Sequence, residues 1–124
     1  MTLILVYNAT SGKLNALLDA GHKLINPVTY NCSLCKMTHG VLKEKKIWTN
    51  FKNEGLASMV FYHKDEFEKE FPEIDVSYPT ILMKENNSIE IMIYSKVLDS
   101  LNSTEELIKT IQMSITDLQT SSNI

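Results

Sequence analysis

The last third of the chain constrains its fold more than any other part. Ile81-Leu82-Met83-Lys84 is an apolar run, Glu85-Asn86-Asn87-Ser88 is a turn signal, and Ile89 to Tyr94 returns as a second apolar run. That pattern is an antiparallel hairpin. Ser103 and Glu106 then form a capping-box signature ahead of Leu107, Ile108, Ile111, Ile115 and Leu118, which recur on one helical face. A lone hairpin is marginal in water, so the apolar stripe of this closing helix is the natural cover for it. Thr120 to Ile124 reads as a frayed tail.

The beginning of the chain supplies the rest of a sheet. Thr2 to Tyr7 is a continuous apolar, β-branched run, as expected of a central strand buried on both faces. Leu14, Leu17, Leu18, Gly21 and Ile25 follow at helical spacing until Asn26-Pro27 stops the pattern. Residues 32–52 read as broken helix, with Gly40 interrupting it. Leu56 to Tyr62 is a further strand, and Phe67 and Phe71 share one face of a short acidic helix that Pro72 ends. The order predicts an α/β fold with a mixed four-stranded sheet, its strands near 2–7, 56–62, 80–84 and 89–94, and helices on both faces. The helix between the first two strands favours a parallel crossover, whereas the last pair is antiparallel. With 124 residues the chain builds one core, so residues 1–124 are expected to form a single domain.

Composition excludes several functions. The net charge is −3 and all twelve basic residues are lysines, so neither a clustered cationic footprint for nucleic acid nor an arginine fork for phosphate is present. Ser11-Gly12-Lys13 after the first strand invites a phosphate-loop reading. Tyr7 stands where the first glycine belongs, and Leu14 stands where a magnesium-binding hydroxyl belongs. The only apolar run at the N-terminus is Leu3 to Tyr7, too short to span a bilayer and without basic residues ahead of it. A cytoplasmic protein that binds neither membrane nor nucleic acid is expected. The four Asn-x-Ser/Thr triplets, at Asn8, Asn31, Asn86 and Asn102, are then chance matches. Nothing in the sequence speaks to oligomeric state.

The run Ser77-Tyr78-Pro79-Thr80 to Asn87, with its hairpin and closing helix, resembles the C-terminal half of the thioredoxin-like superfamily. The resemblance implies a three-layer domain in which Pro79 is cis, faces a redox dithiol and takes part in substrate binding. In that superfamily a C-x-x-C directly follows the first core strand, where Asn8-Ala9-Thr10-Ser11 stands here. The two cysteines, Cys32 and Cys35, come later. A helix over residues 11–25 rises roughly 20 Å, which is expected to carry the pair to the far end of the sheet from Pro79 unless residues 26–31 double back.

The cysteines carry the chemistry of every functional reading. At a helix start, N–H groups favour a thiolate at the first position of C-x-x-C. Cys32 is then the attacking thiolate, Cys35 the resolving thiol, and Lys36 adds positive potential. This makes the chain a thiol–disulfide redox protein without a cofactor, whose partner is a protein thiol or disulfide. The alternative is a non-catalytic binding domain in which the pair is a structural zinc site or buried packing. Cys32, Cys35 and His39 follow a zinc-like order, with His22 or His63 as the fourth ligand. As packing, both cysteines are small hydrophobes beside Leu34 and Met37. Apart from metal binding, His63 reads as a cap for the next helix and His39 as the end of its own.

Overall fold

The computed structural model describes residues 1–10, 32–39 and 44–122. Strands β1 (Thr2–Tyr7), β2 (Ser58–His63), β3 (Thr80–Glu85) and β4 (Ser88–Ile93) form one mixed sheet in the order β2-β1-β3-β4. β1 runs parallel to β2, from Thr2 opposite Ser58 to Tyr7 opposite His63, and antiparallel to β3, from Thr2 opposite Lys84 to Val6 opposite Thr80. Five helices accompany the sheet among the described residues: α1 (Ser33–Thr38), α2 (Lys46–Asn53), α3 (Lys64–Glu70), α4 (Ser95–Ser100) and α5 (Thr104–Ser122). The helix expected over residues 11–25 lies outside the described residues. No described helix is long and apolar enough to cross a membrane.

The period-two geometry of β1 sends alternate side chains into two different cores. Leu3, Leu5 and Tyr7 join Ile81 and Ile93 in a cluster with Leu34 of α1, Trp48 and Phe51 of α2, Leu98 of α4, and Leu107, Ile111 and Ile115 of α5. Ile4 and Val6 join Leu82 and Phe67 of α3 in the other. The expected central position of the first strand, the parallel crossover and the antiparallel hairpin are all observed. β2 begins at Ser58 rather than Leu56 and extends through His63.

The local signals act as their chemistry requires. Asn86 begins the two-residue hairpin loop at φ 57°, in the left-handed region that asparagine tolerates. His63 caps α3, its ring and backbone N–H both bonded to the Glu66 carboxylate at 2.7 and 2.8 Å. At the start of α5 the Glu106 N–H donates to Ser103 Oγ at 3.1 Å, while the Glu106 carboxylate accepts from Asn102 N–H at 2.6 Å. That helix runs on to Ser122, so the expected frayed tail is helical for its first three residues. The hydrophobic stripe, in contact with the sheet core through Ile115, extends the helix past the point where polar composition suggested a stop.

One feature was not expected. α4 occupies the link between β4 and α5, placed by burial of Leu98 against the sheet. The Tyr78–Pro79 peptide bond is cis, as the resemblance implies.

Phe67 is fully buried and meets Tyr62, Phe71 and Tyr78 at ring separations of 6.1, 5.1 and 6.3 Å. It is the aromatic centre of the smaller cluster. Phe67→Ala is expected to lower the unfolding free energy by about 3–5 kcal/mol, measured by urea denaturation. A loss below about 1 kcal/mol would mean that this face does not depend on α3.

Candidate functional site

Cys32 immediately precedes α1 with extended backbone, φ −144° and ψ 103°, and its side chain serves as the helix cap. Its Sγ accepts the Cys35 N–H at 3.2 Å, replacing the Ser or Asp oxygen that usually fills this role. The same sulfur accepts the N–H of Asn8 at 3.3 Å. Asn8 follows the last residue of β1, so Cys32 sits at the C-terminal end of the central strand. This corrects the expectation that the pair begins at the far end of the sheet. The rise of a helix limits how far a segment travels but not the direction in which the chain returns.

Pro79 lies at the same end of the sheet. It precedes Thr80, which pairs with Val6 near the end of β1. Pro79 is buried, and Thr80 Oγ1 donates to the Ile93 carbonyl at 3.0 Å, tying the start of β3 to β4. The strand order thus brings Cys32 and Pro79, widely separated in sequence, to one edge of the fold.

Both cysteines are free thiols, 2% and 3% exposed. Burial alone pushes thiol pKa values up, because it disfavours the charged form. At Cys32 the hydrogen bonds win. The Cys35 S–H is the largest downward influence, burial opposes it, and the N–H groups of Asn8, Cys35 and Leu34 add to the lowering. At Cys35 the same S–H bond works in the other direction, since it holds the proton in place. Burial and the neighbouring Cys32 charge add to that, so the Cys35 thiol is pushed far above its ordinary range. The pair is therefore asymmetric: the surroundings favour the charged form at Cys32 and the protonated form at Cys35.

The surroundings are aromatic and hydroxylic. Tyr7, the last residue of β1, stacks on Phe61 at 6.2 Å and meets the His39 ring edge-on at 5.9 Å. Burial pushes its phenol well above the ordinary value, with a smaller opposing contribution from the Thr38 side chain. Fully buried Thr38 donates to the Leu34 carbonyl at 2.9 Å and meets His39 Nδ1 at 2.8 Å. His39 follows α1 as its cap, and burial lowers its pKa. The expected helix-end role of His39 is what the backbone adopts.

The other candidate residues are distributed more widely. His63 is at the end of β2, its ring bonded to Glu66 and 6.3 Å from the ring of Tyr7. His22 lies outside the described residues. No group of three His, Cys, Asp or Glu side chains is gathered for a metal among the described residues. Lys36 is exposed in the last turn of α1, and its backbone N–H donates to the Cys32 carbonyl at 3.1 Å. Sequence reasoning missed Ser33, whose hydroxyl donates to Asp99 of α4 at 2.7 Å, and Thr104, whose hydroxyl donates to the Met37 carbonyl at 2.5 Å. Both bonds span more than sixty residues, and no local spacing announces them.

The lowered Cys32 pKa has a definite sign. A thiol depressed below its unfolded value of about 8.5 stabilises the reduced fold fully above that value, and the contribution is lost as pH falls through the folded value. Alkylation of Cys32 by iodoacetamide, followed by peptide mass, is expected to reach half its maximal rate below about pH 8.5. Cys35→Ala, which removes the S–H donor, is expected to move that midpoint upward. An unchanged midpoint would remove the hydrogen bond as the cause. No family model, curated protein or solved structure matches this chain.

Proposed function

We propose that the protein is a thiol–disulfide exchange protein of thioredoxin-like, three-layer build, with Cys32 as the attacking thiolate and Cys35 as the resolving thiol. One observation carries this reading. The Cys32 sulfur is held by the Asn8 and Cys35 N–H groups at the end of the central strand, and the pair is electrostatically asymmetric. The strand order β2-β1-β3-β4 and a proline opening β3 at the same end of the sheet support the resemblance. On this reading Pro79 takes part in substrate binding beside the dithiol.

The chemistry balances with a disulfide as the co-reactant. The Cys32 thiolate attacks one sulfur of a partner disulfide; a mixed disulfide forms and the other partner sulfur leaves as a thiolate. Cys35 gives its proton to solvent and attacks Cys32 Sγ. The mixed disulfide breaks, the Cys32–Cys35 bond forms, and the second partner thiolate leaves. The protein loses two electrons and the partner gains them. Stabilisation of the Cys32 thiolate favours the reduced protein, which makes its disulfide the more oxidising.

Burial of both sulfurs favours a second reading, in which Cys32 is an inert cap for α1. Intact mass and thiol titration of the anaerobically purified full chain separate the two. Exchange predicts two titratable thiols, loss of two hydrogens on mild oxidation, and a mixed disulfide trapped at Cys32 in Cys35→Ser but not in Cys32→Ser. Two native thiols that stay inert and metal-free would favour the cap. A bound zinc ion removed together with the fold by a chelator would replace both readings.

A further inference from the structure

The exchange sequence leaves the short helix α1 with a mechanical problem. Its C-terminal end is fixed independently of the cysteines. Thr104 Oγ1 donates to the Met37 carbonyl at 2.5 Å, and the Lys45 N–H donates to the Thr38 carbonyl at 2.8 Å. Its N-terminal end depends on the Cys32 sulfur, which takes N–H groups from Asn8 and Cys35. Once Cys32 is in a mixed disulfide, that sulfur carries no charge and is a weak acceptor. Both bonds weaken at the moment when Cys35 has to approach Cys32. Buried Leu34 still anchors the turn, but apolar burial is non-directional.

One polar tether at this end does not involve sulfur. The hydroxyl of Ser33, the residue after Cys32, donates to Asp99 Oδ1 on α4 at 2.7 Å. A hydrogen bond to a charged acceptor is among the stronger kinds. It does not serve to stabilise the Cys32 thiolate, because a carboxylate is not a donor to a thiolate and its negative charge does not favour one. We propose that Asp99 is a positioning residue for the second step of exchange, an assignment that rests on the redox reading of Cys32 and Cys35. It holds the first turn of α1 against α4 while Cys32 is in the mixed disulfide, so that Cys35 finds Cys32 Sγ in line. α4 in turn is seated on the sheet core through fully buried Leu98.

This role has a kinetic signature that general structural support lacks. Asp99 acts after the first sulfur exchange, so its loss slows resolution and spares the initial attack. A single reagent reads both steps. Each molecule of 5,5′-dithiobis(2-nitrobenzoate) releases one coloured thiolate when Cys32 attacks and a second when Cys35 resolves. With the full reduced chain at low reagent, Asp99→Ala and Ser33→Ala are expected to keep the first phase within about twofold and to slow the second about tenfold, the scale of one charge-assisted hydrogen bond. Asp99→Asn, whose neutral amide oxygen still accepts from Ser33, is expected to keep the first phase and to slow the second by less than Asp99→Ala does. Because Asp99 is exposed, these variants test position rather than folding.

The assignment is overturned if the second phase in Asp99→Ala matches wild type, if Asp99→Asn slows as much as Asp99→Ala, or if both phases slow by the same factor. A wild-type chain that releases fewer than two thiolates overturns the redox reading itself, and the assignment falls with it. Two wild-type phases that are indifferent to Asp99 overturn the assignment alone.

Discussion

The rest of the structure depends on β1 being apolar on both faces. Leu3 and Leu5 face one core, and Ile4 and Val6 face the other. A strand of this kind is stable only with partners on both edges and cover on both sides. β2 and β3 supply the edges, and helices from most of the chain supply the cover. Because β1 is central, its C-terminal end is also where β2 places His63 opposite Tyr7 and β3 places Thr80, the residue after Pro79, opposite Val6. The Asn8 N–H lies just beyond that end. The Cys32 sulfur accepts it at 3.3 Å.

That hydrogen bond links the fold to its chemistry. The sulfur that satisfies Asn8 also caps α1, so the same atom closes two backbone accounts. Accepting N–H groups favours the charged form of Cys32, while donating its own proton disfavours ionisation of Cys35. Both sulfurs are equally buried, so burial cannot distinguish them. The backbone N–H groups of Asn8 and Cys35 do, because both are donated to the Cys32 sulfur. Tyr7 and Thr38 line the pair with a neutral phenol and a hydroxyl, and β1 brings no charged side chain among its buried residues.

Much of the fold was legible from pattern. The alternation and turn chemistry of Ile81–Tyr94, the Ser103–Glu106 cap and the Phe67–Phe71 spacing all describe local geometry, and each local preference agrees with its packed environment. Helix α4 was less legible. Ser95 to Ser100 is a single turn and a half whose only deeply buried residue is Leu98, too short for a periodic signal. The position of the C-x-x-C was misjudged for a related reason. Length along a helix is fixed by its rise, whereas the return of a chain is set by distant contacts that compete for the same surface.

The sequence by itself determined the kinds of element, the two-faced first strand, the hairpin and the presence of a dithiol, because these follow from periodicity and from residue chemistry over a few neighbours. Tertiary structure alone decided that Asn8 meets Cys32, that Ser33 meets Asp99 and that Thr104 meets Met37. Each of those contacts joins residues far apart in the chain, and a polar group carries no mark of which distant partner will satisfy it. Only the closed packing of helices on the sheet selects the partner, since it excludes water from one arrangement and not from the others.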